Sequence, residues 1–139
     1  MSTCYFAHTL PLRCSTPLAR RWLITASEGA EPLAVPNMVL LGFVRIATNP
    51  GAFVDAMTPT AAFDFCAALK SAPAFVPLVP GVEHWRIFQR AAAEANIRGR
   101  SMSDAYLAAF SIANEAEFVS FDRGFARFPG LRWSEPPPL

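Results

Sequence analysis

Residues 101–124, SMSDAYLAAFSIANEAEFVSFDRG, constrain this chain more than any other stretch. They read as a helix over 104–114, a short break, an apolar strand over 117–121 and a charged turn. Asp104 stands at the helix start, and Asp122, eighteen residues later, ends the strand. Helix, strand and charged loop in that order are how an α/β sheet gathers distant carboxylates at its carboxyl edge. Carboxylates gathered there suit a hard divalent cation such as magnesium. A cation so held points to phosphodiester chemistry.

The rest of the chain fits that architecture. Residues 17–27 predict a short helix, with Pro17 in its first turn and Leu18, Trp22 and Leu23 on one face. Residues 32–36 predict a loop carrying a short extended piece. Asn37 is placed to cap a helix through MVLLGFVRIA, ended by Asn49-Pro50-Gly51. That helix is apolar nearly all round apart from Arg45, so it is expected to be buried. Thr58-Pro59 opens another helix, with Ala62, Phe63, Cys66 and Leu69 as its stripe. Residues 75–79 predict a short strand, which Pro77 confines to a sheet edge. Residues 81–95 predict a helix with Trp85, Phe88 and Ala92 inward, and His84 exposed. Phe63, Phe65, Trp85 and Phe88 are expected in the core. Arg98 and Arg100 lead into the 104–114 helix, capped by Ser101 or Ser103.

Helices alternating with short apolar strands predict a three-layer α/β domain, with a mainly parallel sheet flanked by helices. One domain spans residues 1–139. Such folds open on a buried central strand, and residues 1–16 show no convincing one. That first strand is therefore expected to be degraded or missing. Residues 134–139 form a proline-rich tail unable to pack as a helix or central strand.

Composition narrows the function classes. Apolar residues make up 53% and charged ones 17%, which excludes a disordered tail. No apolar run approaches the roughly 18 residues of a membrane helix, and the first residues lack the pattern of a signal peptide. Net charge is +1, so no overall basic field advertises nucleic acid. Eleven arginines nevertheless stand against Lys70 alone. Arginine's planar fork grips phosphate in a bidentate way, although a GC-rich genome explains the same bias. Cys4, Cys14 and Cys66 make neither a disulfide framework nor a metal knuckle, which places the protein in a reducing cytoplasm.

Each candidate site residue also has an ordinary explanation. Asp104 in a first helical turn is favoured by free N–H groups and the dipole. Asp122 before Gly124 suits an Asx turn. His8 and His84 are too few for a zinc site, Ser103 lacks a hydrolase elbow, and no glycine loop cradles phosphate. The arginines at 98, 100, 123 and 127 are left over by the ordinary explanations.

Taken together, SMSDAYLAAFSIANEAEFVSFDRGFARFPGLRW resembles the closing part of a PIN-domain ribonuclease of the VapC type, the toxins of toxin–antitoxin pairs. LLGFVRIATNP and ARRWL are similar to earlier parts of the same family, so the likeness covers roughly residues 17–133. It implies a cytoplasmic, Mg2+- or Mn2+-dependent endoribonuclease that hydrolyses RNA phosphodiesters, with a cognate antitoxin protein as partner, a homodimeric state and no membrane association. Asp104 matches the family's metal-binding aspartate on the penultimate helix, and Asp122 matches its fourth acidic position. Both are thus the catalytic and metal-binding candidates, with Arg123 as a candidate contact to the RNA backbone.

Two departures follow from the same likeness. The family's opening strand ends in Asp-x-Asn, and MSTCYFAHTLPLRC supplies no such aspartate; a frameshift or a misplaced start would account for the loss. The second acidic position falls on Gly42. The expected site is therefore incomplete, and the alternative function is a catalytically impaired PIN fold that only binds an antitoxin.

Overall fold

Among the residues described by this computed structural model, 5–7 and 17–137, four short strands form one fully parallel sheet in the order β2-β1-β3-β4. They are β1 (Tyr5–Ala7), β2 (Leu33–Ala34), β3 (Glu117–Val119) and β4 (Arg132–Ser134). Tyr5 pairs with Leu33 on one side and Glu117 on the other, and Glu117 pairs in turn with Arg132. The first strand is thus present and central, which corrects the expectation of a missing one. Three residues are too short a run to show either period 2 or a sustained apolar stretch. The proline-rich end begins inside β4, an edge strand that the sequence reading did not foresee.

Parallel strands need crossovers, and helices supply most of them. The helix α1 (Pro17–Glu28) joins β1 to β2. From β2 the chain runs through α2 (Asn37–Ala47), α3 (Pro59–Lys70), α4 (His84–Glu94) and α5 (Met102–Ala113) before entering β3. The path from β1 therefore leads toward one sheet edge, and the path from β3 toward the other. Such a reversal opens a crevice beyond the carboxyl ends of β1 and β3.

Local chemistry explains most helix boundaries. Thr58 caps α3 as expected, its hydroxyl accepting from the Ala61 N–H at 3.1 Å, with Pro59 in the first turn. Asn37 does not cap α2. It is the first helical residue, and the Pro36 carbonyl closes the turn by accepting from Val39 and Leu40. Residues 75–79 form no strand; a single parallel bridge joins Phe75 to Leu33 at the β2 edge. Pro77, with no N–H to offer, stands where that pairing stops. Among the described residues, no helix is long and apolar enough to cross a membrane.

Two helical faces differ from the sequence reading. In α3, Ala62, Cys66 and Leu69 are buried, but Phe63 is 60% exposed. In α4 the inward face is His84, Ile87 and Ala91, one position back from the predicted Trp85, Phe88 and Ala92. Trp85 is 62% exposed and His84 only 2%. Phe65 and Phe88 are partly buried against the core.

His84 is buried because α5 offers it a matched niche. Its ring lies 4.5 Å from the Tyr106 ring and 4.2 Å from Phe110, centre to centre. Nε2 is 3.1 Å from the Tyr106 carbonyl oxygen, which can only accept, so this nitrogen carries the proton. Burial pushes the imidazole pKa below its ordinary value, against a smaller upward effect of that hydrogen bond.

Candidate acidic site at the carboxyl edge

Asp104 is positioned by the packing of α5. Ala105, Leu107, Ala108, Ala109, Phe110 and Ser111 are all buried, so the helix is enclosed by α4 and the sheet. Its far end is tied to β3 by the Ser111 hydroxyl, which donates to the Ala116 carbonyl at 2.6 Å. The break between helix and strand is only three residues, with Glu115 in the left-handed region at φ 50°. A helix turned back so tightly runs antiparallel to its strand, bringing its first turn to the strand's carboxyl end.

Neither serine caps this helix. A 3-10 turn, Gly99–Ser101, leads directly into α5, and Ser101 makes no capping hydrogen bond. The Ser103 hydroxyl donates instead to the Arg100 carbonyl at 3.1 Å. Because the chain enters already coiled, the backbone needs no side-chain cap at that point.

Asp122 is held by local geometry. Its N–H donates to the hydroxyl of buried Ser120 at 3.0 Å, and its Oδ1 accepts from the Gly124 N–H at 2.8 Å. This caps a 3-10 helix, Arg123–Arg127. The ordinary Asx-turn explanation of Asp122 is therefore realised, and it leaves Oδ2 free of that turn. Ser120 was not singled out in the sequence. Its only signal there is a small polar residue ending an apolar strand.

Arg127 pairs with the first of the two acids. Its Nη2 donates to Asp104 Oδ2 at 3.2 Å, across 23 residues of chain. Its Nη1 lies 2.9 Å from where a Cβ on Gly124 would stand, and Asp122 Oδ1 lies 3.0 Å from that same point. The guanidinium carbon sits 5.0 Å from the Phe128 ring centre, a cation–π distance. Residues three apart eclipse in a 3-10 helix, which puts Arg127 over Gly124. Gly124 thus lies beside both the Arg127 guanidinium and the Asp122 carboxylate, while the guanidinium's ion pair is with Asp104.

The other arginines are placed differently. Arg123 pairs with Glu135 at 2.8 Å, with its side chain 82% exposed. Arg98 and Arg100 are exposed on the approach to α5.

A divalent ion such as magnesium asks for about six oxygen ligands, with carboxylates carrying the charge. Among the described residues, no three His, Cys, Asp or Glu side chains come together in a group able to hold one. The strand β1 brings no acid to the crevice, because Glu28 is the first acidic residue of the chain. Gly42 carries no ligand, and a Cβ built there meets nothing within 4 Å. The carboxylate of Asp104 is already engaged by Arg127. These residues do not make a divalent-metal site by themselves.

Three comparisons bear on this arrangement. The family model described as PIN domain matches residues 15–131. Ribonuclease VapC43 of Mycobacterium tuberculosis is 43% identical over 131 residues, spanning 94% of this chain and 88% of the relative. Ribonuclease VapC37 of the same organism is 37% identical over 119 residues, spanning 86% and 83%. The chain also resembles VapBC2 from Rickettsia felis, solved bound to a DNA fragment from its promoter, with a TM-score of 0.69 at 13% identity over 96% of this chain and 98% of that one. VapBC-1 from nontypeable Haemophilus influenzae gives 0.68 at 12% identity over 96% and 97%. At such identities the solved structures speak for the fold alone. Ribonucleases with this domain are, as a class, dependent on a divalent metal. With the family model spanning most of its length and relatives above 30% identity along nearly all of it, the chain belongs to the PIN domain family.

Proposed function

We propose that this protein is an endoribonuclease of the VapC type, the toxin of a two-protein toxin–antitoxin pair, acting in the cytoplasm on RNA phosphodiesters. The observation that carries the reading is membership of the PIN domain family with relatives named ribonucleases at 43% and 37% identity. Carboxylates that hold a divalent cation are what phosphodiester hydrolysis draws on. Asp104 and Asp122 are the candidate catalytic and metal-binding acids in this reading, and the metal would be Mg2+ or Mn2+, held with ligands beyond these two. Arg123, exposed on the same turn, is the candidate contact to the RNA backbone.

An antitoxin partner and a homodimer belong to the same reading. Leu41 on α2 and Phe63 on α3 are 67% and 60% exposed, apolar surface of the kind a protein partner covers.

The test is cleavage of RNA by the purified protein in Mg2+ or Mn2+, with and without chelator, beside Asp104→Asn and Asp122→Asn. Chelator-sensitive cleavage, lowered by about a hundredfold or more in Asp104→Asn, is expected. Cleavage untouched by that substitution would remove the acid pair from the chemistry. The absence of an acid on β1 favours a second reading, a PIN fold that binds its antitoxin without cutting RNA. Inertness of the parent protein in both metals, together with a stable complex with a cognate antitoxin, would establish that reading instead.

A further inference from the structure

Arg98 and Arg100 stand on the approach to α5, and no structural contact accounts for them. Both are exposed, and among the described residues neither makes an ion pair or a side-chain hydrogen bond. Other arginines are engaged: Arg127 with Asp104, Arg123 with Glu135, Arg86 with Glu83, and Arg132 with the Glu115 carbonyl. The backbone that carries Arg98 and Arg100 is fixed. Gly99 between them lies in the left-handed region at φ 66°, where a Cβ would meet nothing within 4 Å. The glycine therefore answers to backbone conformation and not to crowding. It turns the chain from an extended Arg98 into the 3-10 turn at Arg100, whose carbonyl accepts from the Ser103 hydroxyl at 3.1 Å. That turn runs into α5 without a break, which puts the Arg100 backbone about 6–8 Å along the axis from Asp104. The ion pair of Asp104 with Arg127 sets the 3-10 helix bearing Arg123 against the same helix start. Positive side chains thus stand on both segments that meet at Asp104.

We propose that Arg98 and Arg100 are positioning residues for an RNA strand: they grip backbone phosphates beside Asp104 and guide the strand across the rim. An unpaired guanidinium offers its whole fork to a phosphate, whereas Arg127 has already committed a nitrogen to a carboxylate. Such contacts fix the register of the strand and carry no sequence information. A net charge of +1 is no obstacle, because a phosphate feels chiefly the charges within a Debye length of about 8–10 Å. The inference rests on RNA as the substrate and deepens that reading with contacts that involve no bound ion. Its test measures binding and not cleavage, so the two can fail separately.

The experiment titrates a fluorescein-labelled single-stranded RNA of mixed sequence with the full chain, in chelator and at rising salt, and follows fluorescence anisotropy. Each phosphate contact to a single strand contributes about 0.7 to the slope of log affinity against log salt. Arg98→Gln and Arg100→Gln are each expected to lower the slope by about that much. The double variant is expected to lower it by about 1.4, with affinity reduced about tenfold at low salt. Arg98→Lys/Arg100→Lys keeps the charge and is expected to retain the slope. The control, Lys70→Gln/Arg132→Gln, removes the same charge from the amino side of the sheet, where Arg132 opens β4 and Lys70 closes α3 ahead of the Phe75 bridge. It is expected to leave the slope unchanged, and thermal melting checks that every variant is folded. An unchanged slope in the double glutamine variant, an equal fall in the control, or no binding of this RNA by the parent would overturn the proposal. A fall confined to Arg98 and Arg100 in a protein that cuts no RNA would keep these contacts and remove the ribonuclease reading. Chelator-sensitive cleavage with an unchanged slope would do the reverse.

Discussion

Replacing His84 with Phe tests whether the α4–α5 interface depends on a neutral imidazole. Phe fills the ring's volume and keeps the contacts to Tyr106 and Phe110 at 4.5 and 4.2 Å. What it loses is the hydrogen bond from Nε2 to the Tyr106 carbonyl, 3.1 Å long and buried. A neutral bond of that kind contributes about 1 kcal/mol, so the variant should be less stable than the parent by about that amount at pH 8. The pH dependence follows from burial, which lowers the imidazole pKa in the folded protein. As pH falls below about 6.5, the unfolded chain takes up the proton first. The parent's stability is therefore full above that point and lost as pH falls through the folded value, with a slope of at most about 1.4 kcal/mol per pH unit. Urea denaturation from pH 8 to pH 5 measures this directly. The gap between parent and Phe variant should be constant above pH 7 and shrink below it. If the two stability curves run parallel down to pH 5, the imidazole is not held neutral by burial and the argument fails.

Two further substitutions probe the helices. Gly42→Ala on α2 should stabilise the protein by about 0.5–1 kcal/mol, because glycine costs that much inside a helix and the added Cβ meets nothing within 4 Å; a lower urea midpoint would contradict this. Thr58→Ala should lower stability by about 1 kcal/mol through loss of the cap on α3, and Thr58→Ser should restore most of it.

What could be read from the sequence followed the range of the forces involved. The α5–β3 unit, the Thr58 cap and the turn at Asp122 are set by residues within a few positions of one another, and each was legible. The inward face of α4 was not. Trp85 and Phe88 outweigh His84 on any apolar scale, while the niche that buries His84 is made by Tyr106 and Phe110 on another helix. The strand β1 was missed for a related reason. Its place at the centre comes from pairing with β2 and β3, neither of which is visible in three residues. In the candidate site the ion pair of Asp104 with Arg127 was not legible, since Arg127 stood out only as a nearby arginine. Its engagement depends on the 3-10 pitch over Gly124 and on a partner 23 residues upstream.

The two acids differ in how they are held, and this makes their substitution informative. Asp122 is fixed by its own turn, through an oxygen accepting from Gly124 and an N–H donated to Ser120. Asparagine keeps both bonds, since its amide oxygen accepts equally well and tolerates the same turn. Asp122→Asn should therefore fold like the parent while losing its charge. Asp104 is fixed by α5, whose buried face does not involve the carboxylate, and the pair with Arg127 contributes about 0.2–1 kcal/mol at this exposure. Asp104→Asn should cost no more than that. A large loss of cleavage in either variant, with melting temperature nearly unchanged, can then only be a loss of charge at the rim. A large fall in melting temperature would mean instead that the carboxylates hold the fold together, and a loss of cleavage would then carry no chemical meaning.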